Sequence, residues 1–426
     1  MKWKHKKTVD GSPDGTFGLL KSSPIFLHPF VIFSAVWIGV VFLYSLHLSK
    51  LLLYSTFETG RLILSIWLPF AVVVLMFVSL RKILVAKYHV ARRREPVKLS
   101  RIDRRLTIAF RFWVLITIGE IFLSGGIPII WLALGSTKTY VDFGIPSFHG
   151  LVNSLLLTIS LSRFALFLIT SERRHLRIPI FVVFWSVLVV TRQLMLVSLI
   201  QFAVLFVRFR PIKTSTVFRL LAGFIGVILL FGVVGDYRSG SSDLIRTWAQ
   251  PAENYPDWLP SGLLWGYIYT VTPVNNLLYT INVAPPLNSL LFPNTAATLF
   301  PSVLRGVIYG DQLGEAESGQ LVTATFNVST AYIGPYQDFG FIGIALFSML
   351  TAFLCLQFWY RNDLKSVLIY VIFCQCLILS LFWDQFLSLP IIAQIFWLEF
   401  FLRQRSTSTS IALKFYRSLL TPRAIR

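Results

Sequence analysis

The sequence predicts an all-α polytopic membrane protein with about ten transmembrane helices, both termini in the cytoplasm and one large outward loop. Of its 426 residues, 55% are hydrophobic, and the mean hydropathy is +0.69. Apolar runs long enough to cross the hydrocarbon core of a bilayer recur along the chain. The 39 Lys and Arg residues outnumber the 19 Asp and Glu residues, and they concentrate in only some of the gaps between apolar runs. We assign these gaps to the cytoplasm, because cytoplasmic loops carry an excess of Lys and Arg.

The basic gaps divide the chain into five regions. In order, these are a basic cytoplasmic tail (1–23), N-terminal membrane helices (24–235), a large outward loop (236–332), C-terminal membrane helices (333–402) and a second basic tail (403–426). The apolar segments lie near 24–48, 62–80, 112–134, 148–170, 178–207, 216–235, 339–360, 364–382 and 385–402.

The cytoplasmic loop 81–111 holds eleven Lys and Arg residues, including Arg92, Arg93 and Arg94. A basic run of this kind is also found in nucleic-acid-binding proteins. No aromatic platform or binding module accompanies it here, so we assign the run to membrane topology and expect no nucleic-acid partner.

The stretch VLVVTRQLMLVSLI, residues 187–200, places Arg192 inside an apolar segment. Both flanking gaps are basic, so the segment 178–207 must cross the membrane an even number of times. We predict a short helical hairpin with Thr191, Arg192 and Gln193 at its outward turn. Arg192 is then either an anion-binding residue in a water-accessible vestibule or the partner of Glu120, a carboxylate in another apolar segment.

The outward loop differs in composition from the rest of the chain. It holds seven acidic residues but only three basic ones, Arg238, Arg246 and Arg305, and it is rich in Trp and Tyr. Such aromatic residues form either an interfacial belt or the stacking faces of a sugar-binding cleft. The apolar part, 263–283, is predicted to be an interfacial or re-entrant helix broken near Pro273.

Several familiar catalytic motifs are absent from the sequence. It contains no G-x-x-x-x-G-K-[ST], no H-E-x-x-H, no G-x-S-x-G and no D-x-D, so ATP-driven, zinc-dependent and serine-hydrolase chemistry lose support. No histidine follows His175, so the outward loop offers no imidazole base or metal ligand. We expect neither a cofactor nor a metal. His149, at the outer start of a helix, is interpreted as an interfacial polar residue.

Asp338, in the stretch PYQDFGFIG, stands just before a predicted helix of about 22 residues. Its carboxylate has two alternative interpretations. It either caps the free N–H groups of that helix or acts as an acid–base group at the membrane face.

A basic anion site beside an aromatic cleft fits a lipid-linked saccharide, because the guanidinium fork of arginine matches a diphosphate. The short segments that carry this pattern are TRQ (191–193), GDYRSG (235–240), YTVTPVNNL (269–277) and PYQDFGFIG (335–343). Together with the topology, they resemble Wzy-type oligosaccharide repeat-unit polymerases, the O-antigen polymerases related to the O-antigen ligases. The resemblance covers about 106–403.

The resemblance implies a helical glycosyltransferase fold of the C type in the bacterial inner membrane. It also implies polymerisation of undecaprenyl-pyrophosphate-linked repeat units at the periplasmic face. A chain-length regulator and a flippase are further candidate partners in surface polysaccharide synthesis. The outward loop is then periplasmic.

Carried onto this sequence, the catalytic arginines correspond to Arg192 and Arg238. Asp338 is the first candidate for the acceptor-activating base, followed by Asp236 and Asp311. The ligases use a histidine in the large loop, and its absence here disfavours a ligase. The residues assigned to substrate binding are Arg305, Arg246, Tyr237, Tyr269, Asn275 and Tyr336.

Two other hypotheses stay open. One is a transporter or flippase of a lipid-linked saccharide or other anion, with Arg192 lining the path. The second is a non-catalytic assembly subunit whose loop docks a partner. The one-sided loop and the lack of paired broken helices disfavour transport.

Overall fold

The computed structural model describes residues 24–88, 99–210, 243–256, 258, 260–310 and 319–403, together with six positions between 211 and 242, and it describes 81–88 by their backbone alone. Over these residues the protein is helical, without strands apart from one isolated bridge between Ser49 and Pro251. The predicted all-α class is thus confirmed.

The helices are numbered here in chain order. They are α1 (Pro29–Ser45), α2 (Thr56–Tyr88), α3 (Leu99–Ser124), α4 (Pro128–Ala133), α5 (Phe148–Thr170), α6 (Arg177–Leu188), α7 (Arg192–Phe209), α8 (Asp243–Ala249), α9 (Ser261–Val283), α10 (Pro293–Ala296), α11 (Ser302–Tyr309), α12 (Ile333–Trp359), α13 (Leu364–Leu379) and α14 (Leu389–Leu402).

Five stretches of the described chain are long and apolar enough to cross a membrane. They are Thr56–Leu80, Leu99–Ala133, Phe148–Thr170, Arg192–Phe209 and Ile333–Trp359. The helices α1, α13 and α14 are apolar but shorter. These helices support a membrane-embedded protein, whereas the figure of about ten crossings remains a prediction. Most of the predicted segment 216–235 lies outside the described residues.

The side chains of α2 show why its environment is lipid. Ile66 and Phe70 are fully buried against the bundle, yet Leu64 and Leu75 on its outer face are 54% and 66% exposed. A helix that turns large apolar residues outward as well as inward is typical of a membrane bundle rather than of a water-soluble domain.

Contacts between helices define two ends of the bundle. At one end Arg163 of α5 binds Asp103 of α3, and Lys365 of α13 lies 2.7 Å from Glu399 of α14. At the opposite end Ser147, which precedes α5, accepts a hydrogen bond from the backbone N–H of Ser302 at 2.9 Å. We call these the basic end and the loop end.

The segment expected to break near Pro273 forms the continuous helix α9 instead. Pro273 leaves the carbonyl of Tyr269 without its helical N–H donor, while Thr270 and Thr272 donate to the nearby carbonyls of Gly266 and Ile268, each at 2.7 Å. A proline inside a helix is tolerated where neighbouring helices hold the segment in place. The predicted break is therefore wrong.

The helix α12 begins at Ile333, before Asp338, and it has a kink at Phe339 and Gly340. Gly340 has a φ of +59°, which an L side chain rarely adopts. Gly343 lies against the carbonyl oxygen of Pro335, so closely that a Cβ there would overlap it. The kink thus depends on two glycines.

Candidate functional site

Arg192 is the first residue of α7. The helices α6 and α7 pack together and are joined by only three residues, 189–191, of which Val190 has a φ of +55°. The side chain of Arg192 is exposed. The hairpin turn predicted from charge thus coincides with a turn in the structure, and the arginine stands at a helix N-terminus, where the backbone N–H groups attract anions.

The partner of Glu120 is a histidine. Glu120 of α3 is 2% exposed, and its Oε2 lies 3.0 Å from Nδ1 of His149 at the start of α5. The Nε2 of the same imidazole lies 2.9 Å from the amide nitrogen of Asn153, one turn along α5. The carboxylate therefore does not depend on Arg192 for a partner, and His149 is more than an interfacial polar residue.

Four aromatic residues form a cluster on α8, α9 and the segment before α12, in which Trp248 and Tyr269 are exposed and Phe326 is buried. The ring of Tyr269 stacks on Trp265 at 5.5 Å and meets Phe326 edge-on at 5.9 Å, while Trp248 meets Trp265 at 6.2 Å. Tyr269 and Trp248 are each 39% exposed. These flat faces are suited to stacking against a sugar ring, which supports the assignment of Tyr269 to substrate binding.

Asn275 and Tyr336 hold the fold together. Asn275 is fully buried, accepts hydrogen bonds from the hydroxyl of Tyr44 at 2.7 Å and the N–H of Leu53 at 3.1 Å, and donates to the carbonyl of Leu51 at 2.9 Å. The Tyr336 hydroxyl donates to the carbonyls of Ile281 and Ala284. Both polar groups are engaged with the protein itself, so their expected contact with substrate is corrected to a structural role.

Asp338 is also engaged inside the protein. It is fully buried, and its carboxylate accepts hydrogen bonds from the backbone and side-chain nitrogens of Asn294, at 3.0 and 2.9 Å, and from the N–H of Thr295 at 2.8 Å. It therefore caps α10 rather than the helix that it was expected to precede. An acceptor sugar cannot reach a carboxylate so placed, and the structure disfavours Asp338 as the base.

The remaining sequence-predicted residues fall into two groups. Arg246 in α8 and Arg305 in α11 are half-buried, and Nε of Arg305 donates to the carbonyl of Phe300 at 3.0 Å. The others lie outside the described residues, namely Arg238, Tyr237, Asp236 and Asp311. Of the two catalytic residues predicted to act with Arg192, Asp338 is therefore buried against α10, and Arg238 is outside the described residues.

Sequence reasoning missed Asp384, in the connection between α13 and α14. Its Oδ1 accepts hydrogen bonds from the N–H groups of Phe386 and Leu387, at 2.8 and 3.4 Å, and its Oδ2 is buried with no hydrogen-bond partner among the described residues. Burial raises the pKa of this carboxyl to about 7, against the lowering effect of the two N–H donors. The detectable signal was one acidic residue, in FWDQF, between two apolar segments.

Four buried glutamines form a network within the bundle, and one of them, Gln385, follows Asp384 in the chain. Gln201 of α7 donates to Gln375 of α13 at 3.2 Å and exchanges hydrogen bonds with Gln394 of α14 at 3.3 and 3.1 Å. Gln375 donates in turn to Gln385. Each side-chain amide forms its hydrogen bonds with another amide, in a region from which water is excluded. The network therefore fixes the relative positions of three helices.

Among the described residues, no group of three or more His, Cys, Asp and Glu side chains could hold a metal ion. The chain matches no protein-family model, no curated protein and no solved structure.

Proposed function

We propose that this protein is a Wzy-type polymerase of lipid-linked oligosaccharide repeat units. In this proposal it is a metal-independent glycosyltransferase of the bacterial inner membrane, with a C-type fold and a site facing the periplasm. The growing chain leaves undecaprenyl pyrophosphate and joins a new lipid-linked unit. The observation that carries the proposal is the exposed side chain of Arg192, the first residue of the candidate membrane-spanning helix α7, directly after the three-residue turn that joins α6 to α7.

The position of Arg192 suits a diphosphate. A guanidinium can donate two parallel hydrogen bonds to phosphate oxygens. The N-terminus of α7, a helix of 18 residues, adds partial positive charge at the same point. During glycosyl transfer, negative charge grows on the departing diphosphate, so fixed positive charge lowers the energy of the transition state more than that of the bound substrate.

The aromatic cluster around Tyr269 favours a substrate that contains a saccharide. Trp248 and Tyr269 expose their rings on helices that precede α12. The three parts of a lipid-linked saccharide thus each have a suitable counterpart. The bilayer suits the apolar tail, Arg192 suits the diphosphate, and the aromatic rings suit the glycan.

Purified protein supplied with lipid-diphosphate-linked repeat units tests this function. The wild type is expected to form long glycans, and Arg192→Ala to lower the rate by about 100-fold, as loss of a transition-state donor does. The matched control is Arg173→Ala, an exposed arginine next to the basic end, which should keep the wild-type rate. Normal polymerisation by Arg192→Ala would remove this residue from the mechanism.

The glutamine network favours a second candidate, a transporter of a lipid-linked saccharide or another anion. Polar groups deep in a membrane bundle often line a transport path. Proteoliposomes loaded with the lipid-linked repeat unit distinguish the two functions. Transport predicts movement of the unit across the bilayer without any change in glycan length, whereas polymerisation predicts longer glycans on one side.

A further inference from the structure

His149 belongs to a buried dyad with a defined proton arrangement. An ionised carboxylate only accepts hydrogen bonds, so contact with Glu120 Oε2 at 3.0 Å places the proton of a neutral imidazole on Nδ1. The basic nitrogen is then Nε2, which accepts from the Asn153 amide at 2.9 Å. The His149 side chain is 21% exposed, and the Glu120 side chain 2%.

Asn153 suits both protonation states of the imidazole. Its Nδ2 donates to the lone pair of neutral Nε2, and its Oδ1 is buried with no hydrogen-bond partner among the described residues. After Nε2 takes up a proton, rotation of the amide would present Oδ1 as the acceptor. The Asn153 amide can therefore hydrogen-bond to His149 both before and after the imidazole takes up a proton.

The connection before α5 is shaped around this dyad. Gly144 has a φ of +82°, and a Cβ on it would lie 2.7 Å from the imidazole Cγ and 2.8 Å from Glu120 Oε1. The neighbouring Phe143 ring meets the imidazole edge-on at 5.2 Å. Only glycine fits there, so the imidazole and carboxylate are confined by backbone as well as by side chains.

Burial of Glu120 gives the dyad its chemistry. Its Oε1 is buried with no hydrogen-bond partner in the described part of the chain. An ionised carboxylate in such surroundings is poorly solvated, and a positive imidazolium is its best available compensation. Glu120 therefore stabilises the product of proton uptake by His149.

The dyad lies at the same end of the bundle as Arg192. Phe143, which touches His149, has its ring 6.4 Å from that of Trp185, in the last turn of α6. Val189 and Leu194, on either side of Arg192, belong to the same buried cluster as Phe143. The proton acceptor and the cation therefore stand at neighbouring helix ends.

We propose that His149 is the general base of the glycosyl transfer, with Glu120 and Asn153 as positioning residues. The inference rests on the proposed function and supplies the base that it lacks. The acceptor hydroxyl displaces the Asn153 amide, gives its proton to Nε2 and forms the new bond to the anomeric carbon. The bond from that carbon to the diphosphate oxygen breaks, and its electron pair leaves with the diphosphate. The proton on His149 then passes to solvent.

The activity test uses His149→Gln, because glutamine can donate to Glu120 and accept from Asn153 but cannot take up the proton. We expect the variant to melt within a few degrees of the wild type and to polymerise about 100-fold more slowly or worse. His47→Ala is the matched control, since His47 is half-buried away from the dyad, its ring nitrogens contact the backbone carbonyls of Ser45 and Tyr54, and its ring meets Tyr44 edge-on. A turnover of His149→Gln within threefold of wild type would overturn the proposal.

A second measurement does not depend on turnover. In ¹⁵N-histidine NMR spectra, His149 should show the tautomer with its proton on Nδ1, and Glu120→Ala, which removes the acceptor of that proton, should weaken the preference. The opposite tautomer in the wild type also overturns the base assignment. A wild type that does not polymerise refutes the proposed function, and the base with it, even where the tautomer confirms the dyad. An active wild type beside an active His149→Gln refutes the base alone.

Discussion

At the residue scale, the capping role of Asp338 makes a prediction that differs from a catalytic role. Asp338→Asn leaves an amide NH₂ facing donors, so at least one buried hydrogen bond is lost. We expect the free energy of unfolding to fall by about 1–3 kcal/mol, measured as a lower melting temperature in detergent. Asp142→Asn is the control, because Asp142 caps an exposed turn. Loss of turnover by Asp338→Asn with an unchanged melting temperature would favour a catalytic role instead.

Asp384 predicts a particular dependence of stability on pH. Burial raises its pKa in the folded protein to about 7, from an ordinary value of 3.8. The folded state therefore binds more protons than the unfolded state between these values, and its stability falls as pH rises through this window. The Asp384→Asn variant should lose this part of the dependence and should be more stable than wild type at pH 8. Melting temperatures from pH 5 to pH 8 measure both effects, and parallel curves for the two proteins would contradict the assignment.

The sequence could locate Arg192 but could not identify its neighbours. A turn at 191–193 follows from counting the basic gaps on either side, which is a property of the sequence alone, and the structure has the turn at 189–191. The pairing of Glu120 with His149 joins residues 29 apart, and it depends on the packing of α3 against α5 and on the space left by Gly144. Asn275 and Tyr336 were assigned to substrate binding from the sequence, but their side chains hydrogen-bond to backbone carbonyls. The sequence alone does not distinguish a polar residue with this structural role from one that binds substrate.

At the scale of the element, α9 shows how local signals mislead. Pro273 predicted a break, but the helix is packed against α1, α2 and α12, and buried side chains hold it there. The two asparagines of the NN pair are both buried, and Asn276 donates to the carbonyls of Phe326 and Val328, at 2.9 and 2.8 Å. Tertiary packing thus decides the state of a helix whose proline, read alone, favours a break.

The kink of α12 supports a prediction about glycine. In Gly343→Ala, the added methyl group overlaps the carbonyl oxygen of Pro335, so the kink must open and the contact of Asp338 with α10 must shift. We expect a loss of about 1–3 kcal/mol in stability, the usual cost of overpacking. The control is Gly39→Ala in α1, where an added Cβ meets no atom within 4 Å. Equal melting temperatures for the two variants would mean that the kink is not constrained at Gly343.

At the scale of the whole molecule, the composition was sufficient to predict an all-α membrane protein but not the number of times that the chain crosses the membrane. An all-helical, apolar chain could be predicted because a bilayer leaves helices as the way to satisfy the backbone. Within the predicted loop 236–332, the part 263–283 was predicted as an interfacial or re-entrant helix, and it forms α9, a helix of 23 residues that is largely buried. Its Thr, Asn and Tyr residues lower its hydropathy, so hydropathy alone did not show that it packs within the fold.

The orientation of the bundle yields the last prediction. Val141 is 73% exposed in the connection that leads to α5, and Arg173 is exposed between α5 and α6. Because α5 separates them, the two positions should lie on opposite sides of the membrane. The three native cysteines, Cys355, Cys374 and Cys376, are buried, so they give a low background.

In intact cells, a membrane-impermeant maleimide should label Val141→Cys from outside, and it should label Arg173→Cys only after the cells are opened. Leu290→Cys is a second outward reporter, since Leu290 is 82% exposed and lies between α9 and α10. Labelling of all three variants from the same side would contradict a transmembrane α5. The reversed pattern would place Arg192 in the cytoplasm, where a periplasmic polymerase could not use it.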